Sequence, residues 1–288
     1  MNKVINKILT DTPNLDSEGP QHGQGSLKSG LAGSASQISQ QLLSARTTAT
    51  ALSDFPGSPP EHLEEAYGIQ RTSLEQWPDS VAGWKVGGIP ERLRNKLGAD
   101  WLVGPIFDRS VKQADENESI AMPVFGGGFA AIEPELVVCL GNSRSEDRMF
   151  IGAEIASSPV PAINDHGPTA VVCDFGNNNG LLVGSEIADW QHIDEPLEVS
   201  IWINDSLITT KMLGGLAEHA SPALQFCLDH AARQGRELAP GTFVSTGAIT
   251  GIHEASIGAR SKISFGKWGM LRLHLTQADR LTLENQSV

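Results

Sequence analysis

In Ile132-Glu133-Pro134-Glu135-Leu136-Val137-Val138-Cys139-Leu140, two acidic residues stand one apart at the mouth of a long apolar run. If the run is a strand, its side chains alternate between faces. Glu133 and Glu135 then point the same way. Two carboxylates on one face repel each other, and full solvation or a cation held between them relieves that cost. Taken alone, the stretch fits an edge strand that starts in solvent as well as it fits a cation site. Pro134 lacks the donor a central ladder needs, which points to an edge or to the beginning of a strand.

Outward from this strand, the chain offers a small number of groups that could join the two glutamates. Downstream, Met149 to Ile155 is apolar except for Glu154, which needs a partner if buried because an unpaired buried charge is very costly. Three carboxylates make a plausible share of an oxygen-ligand shell. Upstream, Val81-Ala82-Gly83-Trp84-Lys85-Val86-Gly87-Gly88 is a short strand with one lysine between apolar neighbours. On its own Lys85 reads first as a snorkelling surface residue; the alternative is a cation set against an anionic substrate beside glycines that admit close approach. Trp101 to Phe107 forms a turn and short strand that ends in Asp108-Arg109, where a local ion pair or an Asx-turn is the plain reading. Gly126-Gly127-Gly128 makes a glycine loop leading into the opening strand. The cluster Gly176-Asn177-Asn178-Asn179-Gly180 reads as a turn. Neither a phosphate loop, a G-x-G-x-x-G turn, H-E-x-x-H nor G-x-S-x-G occurs.

Helical spacing begins at Ala35 with Ile38, Leu42 and Ala45, breaks at Pro56-Gly57-Ser58-Pro59-Pro60, and resumes from Leu63 to Trp77. Leu197 to Ile203 alternates and runs into an Asn204-Asp205 hairpin turn. Ser221 and Pro222 suggest the start of a helix with Leu224, Cys227 and Leu228 on its apolar stripe, and the last third is rich in strands. Residues 1–35, polar and glycine-rich from position 11, read as a flexible leader, and 277–288 as a tail. Apolar content of 40% with 19% charged residues fits a globular body between them. The net charge of -13 argues against nucleic acid or an anionic membrane as partner. No apolar run approaches the roughly 20 residues of a membrane span. Three cysteines, Cys139, Cys173 and Cys227, stand far apart in no C-x-x-C pair, so reduced core residues in a cytoplasmic protein are expected.

Gly83-Trp84-Lys85-Val86-Gly87, Gly104-Pro105-Ile106-Phe107-Asp108, Glu133-Pro134-Glu135-Leu136, Ala153-Glu154-Ile155 and Ser245-Thr246-Gly247-Ala248 follow one another in a familiar order. With the helix carrying Ala66-Tyr67-Gly68-Ile69-Gln70, this order resembles the 2-keto-4-pentenoate hydratase family of the fumarylacetoacetate hydrolase superfamily. The likeness runs from about residue 36 to 276. It implies an α+β fold: one catalytic domain, 36–276, with N-terminal helices over 36–78 and a mixed β-roll core over 79–276. It also implies Mg²⁺ or Mn²⁺ held by Glu133, Glu135 and Glu154, Lys85 beside the substrate as a charge or proton partner, and Asp108 in proton transfer. Thr246 and Gly247 would hydrogen-bond a substrate carboxylate. The implied reaction is hydration of a 2-hydroxy-2,4-dienoate to a 4-hydroxy-2-oxo acid by a homo-oligomer, alone or associated with a related decarboxylase or hydratase. Decarboxylation of a 2-oxo-3-enedioate, or service as a non-catalytic partner subunit of the same fold, are the alternatives. Four features depart from the family pattern: Pro134 where a small residue is usual, Ser157-Ser158-Pro159 where an arginine commonly follows, Arg109 after Asp108, and the glycine and asparagine loop around Asn177, which matches only loosely.

Overall fold

The computed structural model describes residues 24–114 and 118–281. Helices α1 (Gln24–Thr48) and α2 (Leu63–Leu74) precede strand β1 (Val81–Gly88), helix α3 (Glu91–Leu97) and β2 (Trp101–Phe107). Next come β3 (Val111–Gln113), β4 (Ile120–Val124), β5 (Phe129–Cys139), β6 (Arg148–Ser158), helix α4 (Pro168–Cys173) and β7 (Asn178–Ile187). The hairpin β8 (Leu197–Ile203) and β9 (Ser206–Leu213) leads to α5 (Leu216–Arg233). Strands β10 (Phe243–Ser245), β11 (His253–Glu254), β12 (Arg260–Ser264) and β13 (Met270–Gln277) complete the described elements.

The strands form two mixed sheets, which gives the α+β fold expected. One runs β2-β1-β10-β5-β6-β7-β3 with β11 also beside β5, and the other runs β4-β13-β12-β8-β9. Alternation along β5 and β6 sends two sets of side chains to opposite faces. Ile132, Leu136, Val138, Ile151 and Ile155 pack toward Val199 and Ile201 of β8, Ile263 and Leu273 of the second sheet, and Leu224 of α5. Each such side chain, fully buried, contributes about 1.5–3 kcal/mol. On the other face Phe129, Ala131 and Ala156 meet Ile38 and Leu42 of α1, Ala66 and Ile69 of α2, and α4. The first sheet is therefore covered on both sides, and a polar group on its helix-side face has little water around it. The motif Ala66-Tyr67-Gly68-Ile69-Gln70 fixes that cover. Gln70 Nε2 donates to the carbonyls of Val103 and Val172, while Tyr67 Oη accepts from the Val103 amide.

Several expectations need correction. The strand bearing Glu133 and Glu135 does not begin at the glutamates: β5 starts at Phe129 and carries Pro134 at its centre, opposite Ala153 of β6. The N and O of one residue in an antiparallel strand face the same side. Pro134 O accepts from the Ile249 amide at 2.8 Å, so its missing donor faces the side away from β6. There β10 pairs with Val137–Cys139 and β11 with Ala131 and Ile132, leaving Pro134 in the gap between them. Helix α1 starts at Gln24, inside the stretch read as leader; Leu27 and Leu31 continue the spacing of Ala35, Ile38 and Leu42 backwards. The rest of the leader, residues 1–23, and tail residues 282–288 lie outside the described residues. Tail residues Ala278 and Leu281 donate to Val124 and Thr47 carbonyls, so the fold extends slightly past 277. Helix α5 begins at Leu216 rather than at Ser221 and carries Pro222 inside it. Its buried stripe starts early, at Leu216 and Ala220, and that packing outweighs the roughly 3 kcal/mol an interior proline costs. Cys139, Cys173 and Cys227 are free; Cys173 and Cys227 lie in the core, whereas Cys139, expected there too, is half-buried at the end of β5. Among the described residues no helix is long and apolar enough to cross a membrane.

Candidate metal centre

Adjacent strands β1, β10, β5 and β6 bring the polar groups together on the helix-side face of the first sheet. Lys85 stands opposite Ser245 in the parallel β1–β10 pair, and Glu133 directly opposite Glu154 in the antiparallel β5–β6 pair. Glu135 follows two residues on, on the same face. Carboxylate oxygens of Glu133, Glu135 and Glu154 lie within 4.8 Å of one another. The site is dry: relative exposure is 5% for Glu133, 1% for Glu135, 0% for Glu154 and 4% for Lys85. Like charges directly opposite in a sheet destabilise it, and burial multiplies the cost.

Hydrogen bonds orient part of this charge. Lys85 Nζ lies 3.3 Å from Glu154 Oε1 and 3.5 Å from Asn177 Oδ1. Asn178 Nδ2 donates to Glu154 Oε1 at 3.0 Å. The Ser245 hydroxyl and the Gly247 amide, the latter at 3.0 Å, both donate to Glu135 Oε2. Glu154 Oε2 and Asn178 Oδ1 are buried with no hydrogen-bond partner among the described residues. Burial, then repulsion from Glu154, pushes Glu133 up to about 8. Burial, Glu154 and Glu133 push Glu135 well above the carboxylate range. Burial works against the Lys85 ammonium, but the carboxylates, Glu154 foremost, outweigh it and raise its pKa. Three carboxylates against one ammonium leave a formal excess of two negative charges, and Glu154 Oε2 presents lone pairs that no donor meets. A divalent oxygen-seeking cation fits that donor set and that charge.

The asparagines arrive on a connection whose backbone is unusual. Phe175, Gly176 and Asn177 all have positive φ, at 56°, 66° and 53°. For Phe175 such a conformation is strained, and strain of this kind collects where surrounding contacts fix it for function. A Cβ on Gly104 would meet Phe175 O at 2.3 Å, and one on Gly176 would meet Gly104 Cα at 2.9 Å and Lys85 Cδ at 3.1 Å. The two glycines thus let this connection lie on β2 beside Lys85. Its anchor is Arg46 of α1, whose Nε and Nη2 meet Asp174 Oδ1 and Oδ2 at 2.5 and 2.9 Å.

Of the residues singled out in the sequence, Lys85, Glu133, Glu135 and Glu154 converge. Asp108 does not: it is exposed in the 3₁₀ turn Asp108–Ser110, and no hydrogen bond or ion pair links it to Lys85 or the glutamates. Thr246 is buried with its hydroxyl donated to Leu136 O at 2.9 Å, so it holds β10's end to β5. The Gly247 amide serves Glu135 rather than standing free for a substrate. Sequence reasoning passed over Ser245, Asn177, Asn178, Asp174 and Arg46. By sequence the asparagine run reads as a plain turn; the signal it carries is a polar run bounded by Val171-Val172-Cys173 and Leu181-Leu182-Val183.

The sequence matches no protein-family model and no curated protein. Solved structures do share its architecture. Two are of 4-oxalocrotonate decarboxylase from Pseudomonas putida G7, one complexed with calcium and acetate and one with magnesium and adipate. Each superposes with a TM-score of 0.66, at 16% and 17% identity, over 85% and 86% of this chain and 98% of the decarboxylase. A 2-keto-3-deoxyarabinonate dehydratase aligns at TM-score 0.51 and 14% identity, over 69% of this chain and 75% of its own. At these identities the shared property is the fold alone.

Proposed function

We propose that this protein is a metal-dependent enzyme of small 2-oxo acids, with Mg²⁺ or Mn²⁺ held by Glu133, Glu135 and Glu154. The observation that carries the reading is the convergence of these three buried carboxylates within 4.8 Å, with Lys85 Nζ 3.3 Å from Glu154. A 2-oxo or 2-hydroxydienoic acid, with a carboxylate beside an oxygen, is a natural bidentate partner for such a centre. When bound, the cation supplies Lewis-acid polarisation of the substrate's 2-oxygen.

The chain's own groups do the rest. Lys85, held protonated by its carboxylate neighbours, is a cation next to the substrate's negative charge and a proton donor within the site. Asn177 and Asn178 orient Lys85 and Glu154, and Ser245 with Gly247 orients Glu135. The packed helices α1, α2 and α4 keep water from the buried carboxylates. Asp108, exposed, remains a candidate for proton exchange with solvent rather than for contact with the buried groups.

The proposed reaction is addition of water to a 2-hydroxy-2,4-dienoate to give a 4-hydroxy-2-oxo acid, in a cytoplasmic homo-oligomer. A second reading, decarboxylation of a 2-oxo-3-enedioate, is favoured by the fold shared with a decarboxylase over 85% of this chain. Incubating the Mg²⁺- or Mn²⁺-loaded protein with 2-hydroxypenta-2,4-dienoate and, separately, with a 2-oxo-3-enedioate distinguishes them. Loss of dienol absorbance without CO₂ supports the hydratase, and CO₂ from the second substrate supports the decarboxylase. Turnover of neither, by protein that has bound metal, contradicts both.

A further inference from the structure

We infer that Arg46 is the positioning residue of the metal centre, holding the Asp174–Asn178 connection so that Asn177 and Asn178 set the orientation of Lys85 and Glu154. The inference rests on the metal reading above and extends it to a helix that supplies no ligand. Arg46 lies near the end of α1, far from β5 and β6 in sequence, yet it is buried among polar groups of two separate segments. Its guanidinium grips both Asp174 carboxylate oxygens and donates to Asp174 O at 3.0 Å. It also donates to Asn178 O at 3.1 Å, Asn179 Oδ1 at 3.4 Å and Ser157 O at 3.2 Å. The rings of Phe125 and Phe175 lie 5.3 and 5.4 Å from its centre.

These partners have one thing in common. Ser157 is three residues beyond Glu154 on β6, and Asn178 carries the Nδ2 that donates to Glu154 Oε1. Asp174 and Phe175 immediately precede Gly176 and Asn177, whose Oδ1 faces Lys85 Nζ. One planar fork therefore ties together the strand that bears Glu154 and the connection that bears both asparagines. A guanidinium can meet a carboxylate and several carbonyls at once because its donors are fixed in a plane, which an ammonium cannot do. The positive φ at Phe175 and Asn177 marks a backbone that needs such an outside hold. In metal sites, partners that orient the ligands govern affinity nearly as the ligands do, and their loss costs about 10–100-fold.

A cavity of about 290 Å³, bordered by Arg46, Phe125, Asn178 and Asn179, gives small solutes a route to the guanidinium's place. The test is therefore Mn²⁺ affinity, read from the electron paramagnetic resonance of free Mn²⁺, for wild type, Arg46→Ala and Arg46→Lys. Thermal unfolding of each variant is followed in parallel. Arg46→Ala is expected to bind Mn²⁺ about tenfold more weakly or worse. Millimolar guanidinium should recover much of that affinity where equal sodium chloride does not, even as it lowers thermal stability. A merely structural arginine would move stability without this rescue. Arg46→Lys keeps a cation beside Asp174 and carries the comparison should Arg46→Ala fail to fold; it too is expected to bind several-fold more weakly. Wild type that binds Mn²⁺, alongside a folded variant that binds within twofold of it, overturns this inference alone. Wild type that binds no Mn²⁺ overturns the metal reading and this inference with it.

Discussion

Glu133, Glu135, Glu154 and Lys85 form a set whose members repel and attract within one dry space, so each substitution has a signed effect. Glu133→Gln replaces a buried carboxyl that, in metal-free protein at pH 7, its raised pKa already keeps mostly protonated. In metal-free protein it is expected to leave the melting temperature unchanged or to raise it by a few degrees, on the order of 1 kcal/mol. The same variant should no longer gain stability from added Mn²⁺, whereas wild type does. Thermal melts with and without the ion compare the two directly; a variant stabilised as strongly as wild type would remove Glu133 from the ligand set. Lys85→Met acts differently, because it keeps every carboxylate and deletes the cation beside Glu154. It should retain Mn²⁺ binding and lose about 10²-fold or more in kcat on whichever substrate is turned over. Full activity in Lys85→Met would make the lysine a charge-balancing group only.

Strands and connections decide which of these residues can meet. β5 and β6 lock Glu133 against Glu154 by register, and the close approach of Gly104 to Gly176 brings the Phe175–Asn177 turn to Lys85. Gly104→Ala places a Cβ 2.3 Å from Phe175 O, a backbone atom with no easy retreat. It should cost about 1–3 kcal/mol in denaturant unfolding and weaken Mn²⁺ binding together, because the turn carrying Asn177 is displaced. Loss of stability with unchanged affinity would show that the turn does not hold the centre. This scale also marks the limit of what was legible beforehand. The period-two spacing of Glu133 and Glu135, and Glu154 alone in an apolar strand, are local patterns, and the fold brings the three carboxylates within 4.8 Å of one another. Pro134 misled because the gap between β10 and β11 that tolerates it is made by residues more than a hundred positions away. Arg46 and Asp174, 128 positions apart, leave no local pattern at all.

Across the whole molecule, two sheets share one core with α5, while α1, α2 and α4 close the opposite face of the first sheet. The α+β class is what the family resemblance implies, and the helical spacing at the start and strand alternation later agree with it; the placement of the first sheet between the two covers is not readable there, since it depends on pairings among distant strands. The contact of α2 with α5 adds a pH dependence. His230 of α5 packs on Tyr67 of α2, with ring centroids 4.3 Å apart, and burial, then Arg233 and Arg236, pushes it down to about 4. A depressed histidine favours folding when neutral, so its contribution is complete above about 6.5 and is lost as pH falls from there through 4. After discounting for its partial exposure the loss is about 1–2 kcal/mol. Urea unfolding of wild type and His230→Phe at pH 7 and pH 4.5 should show the smaller drop in the variant; equal drops would assign the acid sensitivity to other groups.

The central claim is that Glu133, Glu135 and Glu154 together hold one divalent cation, and the most direct measurement is a titration of the metal-free protein with Mn²⁺ by calorimetry, beside Glu154→Gln. Glu154 is the member with a buried oxygen that no donor meets. One Mn²⁺ per wild-type chain is expected, with at least about a hundredfold weaker binding in a folded Glu154→Gln. Folded wild type that binds no Mn²⁺, or a variant that binds it as tightly as wild type, would contradict the claim.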